Sequence, residues 1–419
     1  MSREIKDSNI KWIGEIPIDW RVIKNKYLLE WMYSGGTPTS SEEDYYCLEN
    51  GIPFVSISDM SNQRFVYTTK KQLTELGIAS KNLKILNPGT ILYSIYATLG
   101  EVSELKIEAT VNQAILALKI NSSTEKDYYK YCLEAIKDYV LLDANGNTQF
   151  NLNADKVRNY YLPFPEIKIQ KAIIFELNKK IKTIDISIEK NKKIIEEYKK
   201  LKQSIITEAV TKGIRKNRKM KDSGIEWIGE IPEEWNLIRL RYLCKICTGD
   251  KDTQDNNPDG KYPFYVRSPV VEHSDSYTFE GPAILMAGDG VGAGKVFHIV
   301  DGRYACHQRV YSLQNIINID IRFLYYYIQN LFYIQIETAN SKSTVDSVRL
   351  NMLQDFTILC PSIEEQISII AYLDKICNNI DCLIHDKNNL IGLLNGYKKS
   401  IIYEYVTGKK EVDVEWESK

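Results

Sequence analysis

The chain contains the same segment twice. KDSNIKWIGEIPIDW begins at Lys6 and KDSGIEWIGEIPEEW at Lys221, 215 residues later, with 11 of 15 positions identical. A second echo has a different shift. PEIKIQKAIIFEL from Pro165 is matched by PSIEEQISIIAYL from Pro361, 196 residues on, and that register runs without a gap to SIITEAVT at Ser204 and SIIYEYVT at Ser400. The two shifts differ by 19, so the middle of the second copy is 19 residues shorter. Fixed ends around a variable middle describe one scaffold presenting two unlike surfaces. Such a chain is suited to recognising two different things at a set separation.

Each copy closes on a heptad-spaced stretch. Apolar positions step by threes and fours through Ile174, Leu177, Ile181, Ile184 and Ile188, then Asn191, Ile195, Tyr198, Lys202 and Ile205. The second copy repeats the seam through Ile370, Leu373, Cys377, Ile380 and Ile384, then Lys387, Ile391, Leu394, Lys398 and Ile401. This spacing predicts a continuous helix that packs along another helix. Roughly 40 residues at 1.5 Å each make a rod of about 60 Å. The seam turns polar at the same registers in both copies, Asn191/Lys387 and Lys202/Lys398. Polar seam positions fix register and orientation at some cost in stability, so the expected partner of each rod is the other. Gly213 and Gly408 end them.

Upstream of each rod the pattern changes to short strands and turns. IPFVSIS, TILYSIYATLG, NQAILALKI and YYLPFP read as strands in the first copy; YPFYVRS, AILMAGDGVG, RVYSLQNI and FTILCP do so in the second. A helical stretch, DYYKYCLEAIKDYVLL or IRFLYYYIQNLFYIQI, stands near the end of each. The fold class is therefore α+β: two repeated α/β domains, each followed by a long helix. The expected divisions are a first domain at 1–163, its helix at 164–213, a basic linker at 214–220, a second domain at 221–360, its helix at 361–408 and a tail at 409–419.

Composition bounds the function. The 419 residues are 44% hydrophobic and 26% charged, ordinary for a globular protein. No apolar run has the length of a membrane span and the start lacks an apolar signal core, so a cytoplasmic protein is expected. The eight cysteines are scattered, which suits a reducing compartment. Cys244 and Cys247 form the C-x-x-C, and buried free thiols are the better reading than zinc. The net charge of −1 says little about nucleic acid, because binding needs a basic face rather than a basic total. Arg215, Lys216, Arg218, Lys219 and Lys221 form one basic stretch, read as a solvated linker or, more sharply, as phosphate contacts.

Catalytic patterns are missing. AGDGVGAGK at Ala287 fails as a phosphate loop, since Asp289 stands where the first glycine belongs and Val296 where Ser or Thr is required. It reads instead as a glycine-rich turn allowing close backbone approach. The four histidines, His273, His298, His307 and His385, form no triad or metal pattern.

Several motifs together resemble the specificity subunit of type I restriction–modification systems. They are the WIGEIP-x-x-W opening, the GNT/KST element before each rod, P-x-x-x-x-Q-x-x-I (Pro165, Gln170, Ile173; Pro361, Gln366, Ile369), and the Ile-Asp steps Ile184-Asp185 and Ile380-Asp381. One departure stands out: the second copy keeps the family's Glu-Gln at Glu365-Gln366, whereas no Glu precedes Gln170. That implies a difference in how the first rod's opening turn packs.

The resemblance implies a non-catalytic subunit that reads a bipartite, asymmetric target in double-stranded DNA, one half-site per target-recognition domain. The two helices would pair as an antiparallel coiled coil and set the unread gap. The subunit would bind two modification subunits, which methylate adenine, and restriction/translocase subunits. S-adenosylmethionine, ATP and Mg would belong to those partners, with no cofactor in this chain. Its coiled-coil seam would be Ile174, Leu177, Ile181, Ile184, Ile188, Ile195, Ile370, Leu373, Ile380, Ile384, Ile391, Leu394 and Ile401.

Base readout needs Arg, Asn, Gln, Ser and Thr on groove-facing surfaces, and phosphate positioning needs Lys, Arg and hydroxyls. The candidates in the first copy are Thr37, Thr39, Ser40, Tyr93, Tyr96, Gln113, Asn145, Asn147, Thr148, Gln149 and Asn151. In the second they are Lys251, Arg267, Ser268, Gln308, Arg309, Lys342, Ser343 and Thr344. Turn caps and strand-edge hydrogen bonds compete for each. Gln113 and Gln308 align, which hints at a shared structural job. Trp12/Trp227 and Trp20/Trp235 read as packing rather than as stacking platforms. Other readings are a protein-interaction scaffold with two rods, an enzyme with fused recognition, and the recognition subunit of a related system whose partner combines cleavage and methylation.

Overall fold

The computed structural model describes residues 3–61, 63–145, 152–339 and 347–413. Its two packing units cut across the chain order. One comprises Met1–Lys190 with Asn389–Lys419, the other Asn191–Asn388. Two long helices, Ile167–Lys212 and Ile363–Val406, each contribute a portion to both units. At 1.5 Å per residue they measure about 69 and 66 Å. Among the described residues no helix is long and apolar enough to cross a membrane.

In the first unit the opening motif folds into a two-stranded ribbon, Ile5–Asp7 against Glu15–Pro17. Gly14 supplies the positive φ of 67° that its turn requires, and Ile13, Ile16 and Trp20 are buried beneath it. A five-stranded sheet follows in the order Leu29–Ser34, Ile115–Ile120, Ile91–Ser94, Val102–Leu105, Phe65–Val66. Strand side chains alternate between faces, and both faces are covered here. Ile91, Tyr93, Leu116 and Leu118 pack on the core that includes helix Lys126–Asn145, while Leu92, Ile115 and Ala117 form a separate core on the other face.

The second unit repeats the plan. One of its two four-stranded sheets among the described residues runs Lys245–Thr248, Val310–Gln314, Ala283–Ala287, Phe297–Val300. Ile284, Met286 and Leu313 share the core of helix Ile321–Ala339, and Ala283, Leu285 and Val310 share the opposite core.

The heptad seam lies in these cores. In the first unit Ile173, Leu177, Ile181, Ile184 and Ile188 pack with Ile401, Ile402, Tyr405 and Val406, flanked by Ile174, Ile391 and Leu394. In the second, Ile206, Ala209 and Val210 share a core with Ile369, Ile370, Leu373 and Cys377. Ile195 and Ile380 are buried and Ile384 half-buried. Within the first unit the start of one helix and the end of the other meet the same short helix: Thr124 Oγ1 donates to Gln170 Oε1 at 3.0 Å and Tyr128 Oη to Val406 O at 3.2 Å. The paired helices are therefore antiparallel.

The polar seam positions have specific uses. Lys398 reaches Asp185 at 2.8 Å in the first unit and Lys202 reaches Asp381 at 2.7 Å in the second. These are one interaction repeated, and they explain the Ile-Asp steps: the Ile is buried in the seam and the Asp receives the lysine. Both pairs are largely exposed, so each contributes below about 1 kcal/mol and serves register more than stability.

The Trp20 and Trp235 corners differ between copies. Trp235 lies under Gly213 (φ 75°), and its Nε1 donates to Glu365 Oε2 at 3.1 Å. Glu365 also holds Arg218 at 2.5 Å, and these two side chains are 4% and 9% exposed. Lys221 Nζ donates to Trp235 O at 2.8 Å. Arg218 and Lys221 thus close the fold, which corrects their reading as linker or phosphate contacts. In the first unit Arg3 stacks on Trp20 and pairs with Asp19 at 3.2 Å. Ile169 stands where the repeat has Glu365, and Trp20 Nε1 has no hydrogen-bond partner among the described residues. The missing Glu before Gln170 has this consequence.

A charged cluster belongs to the first unit alone among these equivalents. Glu104 is buried and takes Lys106 at 2.8 Å, Lys126 at 2.9 Å and Lys130 at 2.7 Å. By strand register Ile299 holds that rung in the second unit. Burial pushes the Glu104 carboxyl up, but the three lysines outweigh it and hold it at about 2.

Two outcomes are expected. Glu365→Ile should destabilise the second unit by about 3 kcal/mol, the low end for breaking a buried pair because Glu234 still faces Arg218. Glu365→Gln should lie between it and the parent in urea melts followed by tryptophan fluorescence. For Glu104, a folded pKa below the unfolded value means stability that is present above about 4.5 and lost as pH falls towards about 2. Glu104→Gln should flatten that acid limb in stability-versus-pH curves.

Candidate nucleic-acid interface

The same loop frame occurs in both units, held by matching backbone hydrogen bonds. Ile95 N donates to Ala114 O at 2.9 Å, and Gly288 N to Arg309 O at 2.9 Å. Asn112 N donates to Val55 O at 3.0 Å, and His307 N to Tyr265 O at 3.1 Å. Gly35 N meets Ile115 O and Gly249 N meets Val310 O, both at 3.4 Å. A Cβ at Gly35 would stand 2.0 Å from Val111 O, and one at Gly249 would stand 1.9 Å from Cys306 O. Only glycine allows the loop so close to the strand end.

This frame defines equivalent side-chain positions. In the first unit Thr37 Oγ1 hydrogen-bonds the Gln113 amide, and in the second Gln308 Nε2 donates to Asp252 Oδ2 at 3.2 Å. Asn112 Oδ1 accepts from Ala114 N at 3.1 Å, as His307 Nδ1 accepts from Arg309 N at 3.0 Å. His307 Nε2 then faces Asp252 Oδ1 at 3.4 Å. Gln113 and Gln308 thus share a place in the frame and face solvent.

Around that frame the chemistry diverges. Where the first unit has Ile57, Tyr96 and Ala114, the register of the second places Arg267, Asp289 and Arg309. Asp289 accepts from Arg267 Nη1 at 3.1 Å on Oδ1 and from Arg309 on Oδ2. Partial burial pushes the Asp289 carboxyl up, but the two guanidiniums outweigh it and hold it below the usual carboxylate range. The glycine-rich turn serves this cluster. A Cβ at Gly292 would meet Arg267 O at 2.3 Å, and one at Gly288 would meet the Tyr311 ring at 2.9 Å. What approaches the turn closely is the unit's own chain.

The remaining candidates divide clearly. Thr39 and Ser40 are exposed on the first loop, and Tyr96 is 41% exposed. Tyr93 is fully buried against Tyr160 and packs the sheet on the helix, so its place among ligand-facing residues is corrected. Lys251 Nζ donates to Ser276 Oγ at 2.8 Å. The Ser268 hydroxyl closes its own turn, accepting from Val270 N at 3.1 Å. Asn145 ends helix Lys126–Asn145. Asn147, Thr148, Gln149, Asn151, Lys342, Ser343 and Thr344 lie outside the described residues. Trp12 donates from Nε1 to Tyr161 O at 3.0 Å, and Trp227 stacks on Phe356, so both pack. Among the described residues no group of three or more His, Cys, Asp or Glu is placed to hold a metal.

Sequence reasoning passed over Asp289, Asp252 and His307. The signal was the strand register, which pairs the copies at offsets other than the two seen in the repeated segments.

Comparison with known proteins agrees with the architecture. A 26% identical relative is the putative type I restriction enzyme MjaX specificity subunit of Methanocaldococcus jannaschii, aligned over 97% of this chain and 98% of that one. The type I restriction enzyme EcoDI specificity subunit of Escherichia coli is 27% identical over 45% of this chain and 41% of its own length. The MjaIX specificity subunit is 26% identical over 65% and 63%. The matched region thus spans less than two thirds of the latter two relatives. A chain solved in work on assembly and conformational transition of the type I R-M system shares the fold, with a TM-score of 0.67 at 15% identity, over 94% of this chain and 99% of that one. The family model described as type I restriction modification DNA specificity domain matches residues 17–197 and 232–392, one match in each copy of the repeat and well over half of the chain, and the protein belongs to that family.

Proposed function

We propose that the chain is the non-catalytic DNA-recognition subunit of a type I restriction–modification complex, reading a bipartite, asymmetric target with one half-site per unit. The observation that carries this is the pair of loop frames with matching backbone hydrogen bonds and unlike contents: Thr37, Gln113, Tyr96, Ala114 and Ile57 in one, Asp252, Gln308, Asp289, Arg309 and Arg267 in the other. A fixed frame with exchangeable side chains is what reading two different half-sites requires, since donors, acceptors and apolar groups at base edges carry the sequence information. The continuous antiparallel helices serve as the ruler for the unread gap. Two modification subunits and the restriction/translocase subunits assemble on the chain. S-adenosylmethionine, ATP and magnesium act in those subunits, and the complex works in the cytoplasm.

Co-expression with a family modification subunit in a methylation-free host, followed by genome-wide mapping of methylated adenines, should give one bipartite motif with a fixed gap. A stable complex with no new methylation would overturn the reading in favour of a scaffold. Exchanging the segment 245–314 for that of a relative should change one half-motif and leave the other intact. A change in both halves would contradict one-unit, one-half reading. Lengthening both helices by whole turns should widen the gap and preserve both halves, read from the same methylation map.

A further inference from the structure

The geometry points to a guanine-reading clasp in the second unit: Arg267 and Arg309, positioned by Asp289, recognise at least one G·C pair in the half-site that this unit reads. The inference rests on the recognition function proposed above and specifies its chemistry. Three observations carry it. The two guanidiniums converge on opposite oxygens of one carboxylate, with Asp289 20% exposed and the arginines 43% and 59% exposed. The carboxylate is therefore occupied by the arginines, while both arginine side chains remain exposed. The aspartate is itself fixed by backbone: Gly288 N donates to Arg309 O and Val348 N to Gly288 O, at 2.9 and 2.8 Å, and Asp289 bridges to Ser347. Finally, the equivalent positions in the first unit are Ile57, Tyr96 and Ala114, so the trio is not needed to build the frame.

An arginine fork matches guanine O6 and N7 in the major groove, and a fork held in one orientation loses less freedom on binding than a free one. A bare ion pair on the surface would contribute little to stability. The clasp thus has more to offer a ligand than the fold. Asp289 acts through the arginines and is a positioning residue.

The test uses the full chain selected on a randomised duplex pool at two salt concentrations, with the enriched duplexes sequenced. Arg309→Gln should convert one guanine in one half-motif to adenine, because a glutamine amide matches adenine N6 and N7. Affinity for the parent's best sequence should fall about 5- to 150-fold. Asp289→Asn should flatten preference at the same position while leaving the salt slope unchanged. The untouched half-motif in each selection reports that the variant is folded. Two results would overturn the clasp. One is uniform weakening across all sequences with the salt slope reduced by about one, the mark of a phosphate contact. The other is an unaltered motif in both variants. If the parent chain itself enriches no motif, the recognition reading fails before any variant is compared.

Discussion

A buried glutamine ties each long helix to its domain. Gln170 is fully buried at the first turn of its helix; its Oε1 accepts from Thr124 Oγ1 and from Glu125 N at 2.8 Å, and its Nε2 donates to Pro165 O at 2.9 Å. Gln366 does the same work in the second unit, accepting from Asp320 N at 2.7 Å and donating to Pro361 O at 2.9 Å. One amide thus satisfies the orphan N–H at the start of the short helix and the carbonyl that precedes the long one. Losing it would leave several buried polar groups unpaired, each costing about 1–3 kcal/mol. Ile173 and Ile369, three residues on and fully buried, anchor the same turn in the core. The P-x-x-x-x-Q-x-x-I motif is the sequence trace of this joint, and helix direction follows from it.

The long helices were legible because helical period and repetition both announce them, and a buried seam leaves little freedom in residue type. The strands were legible as apolar runs, but their faces were not. Tyr93 is a candidate for DNA contact by residue type alone. It sits one alternation from Leu92 in a sheet covered on both sides, where neither face is free for a ligand. The basic stretch misled for a related reason. Charge in sequence does not show direction, and Arg218 points inward to Glu365. Asp289 was hidden differently: its partners lie 22 and 20 residues away, and only the strand register reveals which residues of the other copy hold the same places.

The two copies also differ where no recognition is at stake. The second unit closes its Trp235 corner with Glu365, while in the first Trp20 Nε1 has no partner among the described residues and a buried carboxylate, Glu104, sits among three lysines. Acid therefore acts on different carboxyls in the two units, Glu104 in the first and Glu365 and Asp289 in the second. Between about 4.5 and 2, the first loses the contribution of Glu104, where the second has Ile299 at that rung.

A scaffold that must acquire new targets faces a conflict, because residues that read bases usually also hold a fold. On the proposed reading the two roles are separated here. Backbone hydrogen bonds and glycines without room for a Cβ hold the loop frame, so the frame persists when its side chains change. Positions 57, 96 and 114 in one unit, and 267, 289 and 309 in the other, carry entirely different chemistry at places that the strand register makes equivalent. At the exposed ones, Tyr96, Arg267 and Arg309, substitutions shift stability by about 0.5 kcal/mol or less, while a single misread base pair costs about 1–3 kcal/mol in binding. If each unit reads one half-site as proposed, specificity can change by steps that stability barely registers, and duplication lets each half change without consulting the other.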